Sequence, residues 1–134
     1  MKRPGKTNGL RHVALFVSAF EETESFYTDL LGMEVEWRPD DSNVYLSSGN
    51  DNLALHKVAE QPESGQLDHV GFFINEIEKV DQWFRFLEQA GVEMLTKPKT
   101  HRDGARSFYC LDPSGTKVQI IYHLPIAKME TYTQ

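Results

Sequence analysis

Apolar and other residues alternate along two stretches of closely similar pattern, "LRHVALFV" at 10–17 and "LDHVGFFI" at 67–74. Alternation with a period of two marks a half-buried strand. In the first stretch Val13, Leu15 and Val17 share one face, and His12, Ala14 and Phe16 share the other. In the second, Val70, Phe72 and Ile74 oppose His69, Gly71 and Phe73. The recurrence continues beyond the strands. Leu10, His12, Val13 and Phe16 return as Leu67, His69, Val70 and Phe73 at an offset of 57, and "GMEVEWRP" at 32–39 returns as "GVEMLTKP" at 91–98 at an offset of 59. An offset of 63 sets "LALHKV" at 53–58 over "TKVQII" at 116–121. Two units of about half the chain are too long and too few for a solenoid, whose repeats run to ~20–50 residues and number about three or more. A duplicated half-domain fits.

Each half then shows the same order of elements. After the first strand the apolar period lengthens. Phe26 with Leu30 and Tyr27 with Leu31 are four apart, as on a helix, and Ile77, Val80, Phe84 and Leu87 form the matching stripe in the second half. Ser18 with Glu21, and Asn75 with Glu78, read as capping boxes. Gly32 and Gly91 are placed to end the helices in a left-handed turn. Strands follow near 33–38, 43–48 and 53–58, and again near 92–96, 105–111 and 116–122, with "SSGND" and "DPSG" as turns and "PKTHRDGA" at 98–105 as a longer loop. The expected class is α+β with the order β-α-β-β-β written twice. Residues 1–9 read as a flexible arm, 10–126 as one domain with modules at 10–60 and 66–124, and 127–134 as a tail.

Composition narrows the functions. The 134 residues are 40% hydrophobic and 25% charged, with a formal net charge of −6 and no basic stripe. Nucleic acid and anionic membrane are poor partners for such a surface. No apolar run of signal or transmembrane length follows the basic start. Cys110 is the single cysteine, which suits a reducing, cytoplasmic setting. No GxSxG, CxxC or GxxxxGKS motif is present, so serine hydrolase, thiol redox and nucleotide-phosphate chemistry lack support.

Parity places the histidines. With the helices covering Val13, Leu15 and Val17 in one half and their repeats in the other, His12 and His69 point away from the helices. On the last strands Ala54, His56 and Val58, and Gln119, Ile121 and His123, do the same. His12, His56, His69 and Gln119 therefore share the free face, and half-sheets curling toward each other would bring them together. Neutral imidazole is a common ligand for Zn, Ni, Co and Fe, and a carboxamide oxygen is a weaker, uncharged one. The pattern predicts a divalent metal site.

These features resemble the vicinal oxygen chelate superfamily, which includes glyoxalase I, bleomycin and fosfomycin resistance proteins, methylmalonyl-CoA epimerase and extradiol dioxygenases. The resemblance rests on "RHVALFV", "FYTDLLGMEV", "LALHKV", "DHVGFFI" and "DPSGTKVQII" and covers Leu10 to about His123. It implies two βαβββ modules forming a curved mixed sheet with helices outside, a divalent metal (Zn, Ni, Co, Fe or Mn) held from the first and fourth strands at His12, His56, His69 and Gln119, and a homodimer. It also implies a small substrate chelated through vicinal oxygens, with lyase or isomerase chemistry favoured. Glutamates are usual on both fourth strands of bacterial glyoxalase I-like members; His56 and Gln119 stand there instead, and neither a metal-bound imidazole nor a glutamine can shuttle the substrate proton. Neutral donors leave the cation's charge uncompensated and favour an anionic guest.

Other functions have their own expectations. A drug-binding protein of the bleomycin resistance type needs no metal, and an extradiol-type dioxygenase would use Fe(II). His123, Tyr109 and Arg106 are the candidate catalytic groups: His123 as a base two residues beyond Ile121 on the face of Gln119, Tyr109 and Arg106 on a neighbouring strand, with Arg102 also able to clamp an anion. His101 reads as part of a lid loop.

Overall fold

The computed structural model describes residues 1–124; the predicted tail at 127–134 lies outside them. Two compact units form, one spanning His12–His69 and the other combining Met1–Arg11 with the chain from Val70 onward.

In the His12–His69 unit, β1 (Leu10–Val17) leads to a short helix α1 (Phe20–Ser25) that runs on as a π-helix over Phe26–Leu30. β2 (Glu34–Asp40), β3 (Asn43–Ser47) and β4 (Asn52–Lys57) follow. Strand order is β2-β3-β4-β1, with β1 and β4 parallel and the other pairs antiparallel. The helix face carries the core: Val17, Phe20, Val44, Leu46 and Leu55, joined by Leu15, Tyr27, Met33 and Leu53. Gly32 takes φ +80° and stops the helix, as its position predicts. The capping box does not form. Ala19 is the cap residue, without a side-chain bond. The Ser18 amide instead donates to Gln61 Oε1 at 2.7 Å, while Gln61 Nε2 donates to the Phe16 carbonyl at 3.1 Å. A linker glutamine thus satisfies the backbone that a local cap would have served.

The second unit holds β5 (Leu67–Ile74, from Val70), α2 (Glu78–Gln89), β6 (Glu93–Met94), β7 (Lys99–Thr100), β8 (Arg106–Leu111) and β9 (Lys117–Tyr122). Its order is β5-β9-β8-β6, with β7 beside β8. β5 and β9 are parallel; the β8 pairings are antiparallel. Ile74, Val80, Trp83, Phe108 and Ile120 form its core under α2. The expected loop at 98–105 contains β7 and a tight turn, because the His101 amide bonds Ala105 O at 2.7 Å and closes a hairpin. Here too no side chain caps the helix: the Asn75 amide donates to Asn8 Oδ1 at 2.8 Å, and α2 opens at Glu78. In the segment read as a free arm, the Asn8 amide donates to Phe73 O at 2.7 Å, and the Phe73 amide donates to Gly9 O at 3.1 Å. Among the described residues no helix is long and apolar enough to cross a membrane.

Candidate metal centre

In the His12–His69 unit, two of the predicted histidines meet. His12 and His69 are buried, 4% and 5% exposed, and their Nε2 atoms lie 2.9 Å apart. Each ring is oriented from behind. His12 Nδ1 faces Asn52 Oδ1 at 2.8 Å and the Asn52 carbonyl at 3.2 Å. The Asn52 amide cannot be reversed, because its Nδ2 donates to Glu36 Oε2 at 2.6 Å. His69 Nδ1 faces Asp68 Oδ2 at 3.1 Å. These oxygens are placed to accept from each Nδ1, and the Nε2 pair then holds a single proton or a cation between its two atoms.

Two lone pairs at that distance repel unless a cation lies between them. A shared proton is one solution. A metal is the other: two neutral imidazole nitrogens this close together would serve as ligands to one divalent ion. Carboxylate or carbonyl acceptors behind Nδ1 are the usual support for metal-binding imidazoles. The residues present fit a divalent metal.

The support is built by strand register. β1 and β4 align His12 with Asn52, so Asn52 stands beside the imidazole on the same face. Glu36 lies on that face at a β-bulge. Val35 pairs with Leu46 and Trp37 with Tyr45, leaving Glu36 as an extra residue on β2. Neither Asn52 nor Glu36 was legible as a site residue. Asn52 could have been found by counting four residues back from His56 along the free face; Glu36 had no signal, since the strand pairing that brings it to Asn52 is not encoded in any local pattern.

His56 does not join the pair. Its parity is as predicted, but it aligns with Phe16, not His12. Four residues along β4 separate it from Asn52, or ~13 Å. Its Nδ1 donates to Asn43 Oδ1 at 2.6 Å, and Asn43 Nδ2 is fixed by Asp40 Oδ1 at 2.9 Å. Phe16 and Tyr45 flank the ring, with Trp37 stacked on Tyr45. Among the described residues no group of three or more His, Cys, Asp or Glu side chains is arranged to hold a metal.

Burial pushes the His56 imidazole below its ordinary value of 6.5, against the opposing pull of Asp68 and Asp40. The sign follows from proton linkage: the unfolded chain binds this proton more readily than the native one. Stability from this group is complete above about pH 6.5 and falls as the pH drops below it. His56→Gln keeps an NH group for Asn43. Its Tm, followed by circular dichroism, is expected to drop less than that of the parent protein between pH 7 and 5.

In the second unit Gln119 is 5% exposed. Its Nε2 donates to Ser107 Oγ at 3.0 Å, and its Oε1 is buried without a hydrogen-bond partner among the described residues. Tyr109 aligns with Gln119 across β8 and β9, on the same face. His123 follows β9 and stacks on Phe73 at 5.9 Å. Arg106 is on the other face. Its guanidinium donates to Asp81 on α2 at 3.0 Å and to Thr100 at 2.8 Å, which takes it away from the face of Gln119. Arg102 is exposed in the β7–β8 turn. Cys110 is buried, and burial raises its thiol above its ordinary value, so it stays protonated.

The model of the Glyoxalase/Bleomycin resistance protein/Dioxygenase superfamily matches residues 9–120. The glutathione transferase FosA of Serratia marcescens is 33% identical over 115 residues, 83% of this chain and 78% of that protein. The metallothiol transferase FosB of Staphylococcus epidermidis is 29% identical over 129 residues, 92% of this chain and 87% of that one. Among solved structures, the 2,3-dioxygenase LapB of Pseudomonas sp. KL28 superposes with a TM-score of 0.76 at 22% identity, over 87% of this chain. The chain spans 43% of that dioxygenase, so the likeness is one of fold.

Proposed function

The chain belongs to the Glyoxalase/Bleomycin resistance protein/Dioxygenase superfamily, and from that premise we propose that it is a divalent-metal-dependent enzyme acting on a small anionic substrate held through two neighbouring oxygens. The observation that carries this reading is the His12–His69 pair, whose Nε2 atoms face each other at 2.9 Å with carboxylate-anchored support behind both rings. Gln119 is the third proposed donor, on the family pattern and on its orphaned amide oxygen. When bound, the metal supplies Lewis acidity toward a substrate oxyanion. The protein's donors are neutral, so a phosphonate or carboxylate supplies the missing negative charge.

Among reaction types, the names of the FosA and FosB relatives favour transfer of a thiol to the substrate. Cys110 is buried and protonated, so that thiol comes from a second substrate in solution. Lyase or isomerase chemistry of the glyoxalase I type calls for a proton-moving carboxylate on a fourth strand, and Asn52, Ala54, His56 and Gln119 supply none. A dioxygenase calls for an anionic third ligand on Fe(II), which an amide does not provide. Tyr109 and His123 remain the proposed groups for orienting substrate. A homodimer in the cytoplasm completes the proposal, on the family pattern and the single buried cysteine.

Chelator-stripped protein titrated separately with Mn(II), Zn(II), Ni(II) and Fe(II) is expected to bind one ion per chain in calorimetry. Saturation at a hundredfold excess over Kd should add about 2.7 kcal/mol of stability. With metal, glutathione should be consumed in the presence of small phosphonates or carboxylates bearing an electrophilic carbon. Oxygen uptake with catechols under Fe(II), and no thiol loss, would replace transfer by dioxygenation. Binding of none of the four ions would end the metal reading in favour of a metal-independent binding protein.

A further inference from the structure

We propose that Ser107 is a positioning residue that sets the polarity of the Gln119 carboxamide, so that Gln119 presents its oxygen to a divalent cation and keeps its NH2 turned back into the sheet. The proposal rests on the metal reading above but concerns residues of one unit alone.

A carboxamide is ambiguous, with an acceptor and a donor end of nearly the same shape. Only 5% exposed, Gln119 needs a neighbour to decide which end faces a ligand, and the neighbour here is the Ser107 hydroxyl, 2% exposed on β8. A hydroxyl has one proton to give. One neighbour can take it: His101 Nε2 lies 3.0 Å from Ser107 Oγ, whereas Gln119 Nε2, also 3.0 Å from that atom, can only donate to it. When the Ser107 proton goes to His101, the hydroxyl can only accept from Gln119, and the amide turns its NH2 inward. The β7–β8 turn holds the imidazole in place, since the His101 amide bonds Ala105 O at 2.7 Å and the Gly104 amide bonds His101 O at 3.0 Å. His101 therefore acts as an anchor, not as part of a lid.

The consequence is the buried Oε1 that has no hydrogen-bond partner among the described residues. Leaving such an acceptor unsatisfied costs about 1–3 kcal/mol. The cost is offset when a cation or a donor arrives, and a neutral, hard amide oxygen suits a divalent cation better than a substrate oxyanion. In the reverse arrangement, with Ser107 donating to Oε1, the amide would turn two N–H groups outward and repel a cation.

Two readouts test this. In metal-free protein, the side-chain NH2 signals of Gln119 are assigned by their loss in Gln119→Glu. They should shift in Ser107→Ala and return toward their original positions in Ser107→Thr, which restores a hydroxyl. In calorimetry with Mn(II), Ser107→Ala should bind about 10–100-fold more weakly, the range for loss of an outer hydrogen-bond partner, and Ser107→Thr should recover most of that. Circular dichroism checks that each variant folds. Unchanged signals in Ser107→Ala overturn the proposal, as does equal Mn(II) affinity in parent and Ser107→Ala. Equal weakening in Ser107→Ala and Ser107→Thr also overturns it, since packing and not the hydroxyl would then be at work. If the parent binds no metal, the metal reading falls, and the NH2 signals alone decide whether Ser107 orients Gln119.

Discussion

Alanine in place of His69 is expected to weaken divalent-metal binding by about a hundredfold or more. Four-ligand structural Zn(II) sites reach about 10–16 kcal/mol in all, so each ligand accounts for roughly 3 kcal/mol, or two decades of affinity. His12→Ala should do the same. The double variant should fall far short of the product of the two single losses, because the rings act as one unit at 2.9 Å. His56→Ala separates the structure from the bare sequence pattern. Although it shares the face of His12, it stands level with Phe16 and is anchored by Asn43, so its metal affinity should match the parent's. Calorimetry on the four variants, with circular dichroism as a check on folding, decides the matter. Parental affinity in His69→Ala, or a loss in His56→Ala as large as in His69→Ala, would refute the centre described.

The next largest effect is expected at Asn52. Asn52→Leu keeps the volume but removes the side-chain acceptor from His12 Nδ1 and the donor from Glu36 Oε2. His12 Nδ1 then loses the side-chain acceptor and retains the backbone oxygen at 3.2 Å, which holds its tautomer less firmly. Metal affinity should drop about 10–100-fold without loss of any direct donor. Unfolding free energy should drop by about 1–3 kcal/mol for the stranded polar groups. Glu36→Gln, which retains an oxygen for Asn52 Nδ2 but not the charge, should give a smaller loss in affinity. Urea unfolding of metal-free protein and calorimetry of the loaded protein measure the two effects separately. An Asn52→Leu variant with parental affinity would mean that the relay holds nothing in place.

The outline of the fold was open to reading because it depends on periodicity. The paired strands, the helix after each and the glycine stops at Gly32 and Gly91 all follow from local pattern. So does the face taken by His12, His69, His56 and Gln119. What periodicity cannot supply is level along a strand. The repeat offset sets His56 over Gln119, yet the registers make Ala14 with Ala54 the counterpart of Gly71 with Gln119, two residues away. The helix starts were hidden for another reason. Gln61 and Asn8, distant in sequence, occupy the amides that the Ser18 and Asn75 patterns assign to local caps. That Arg106 takes the face opposite Gln119 was hidden because the face of β8 follows from its ladder with β9, which no local pattern encodes.

One residue of length on β2 carries a consequence out of proportion to its chemistry. Glu36 faces Asn52 from the point where the strand has an extra member between its Val35–Leu46 and Trp37–Tyr45 pairs. Removing Val35 would set Glu36 opposite Leu46 and swing the carboxylate to the core face, with every group of the relay still in the gene product. Drift in chain length at this point would then alter chemistry as surely as a point substitution, and a gap placed here when related chains are lined up becomes a statement about reactivity.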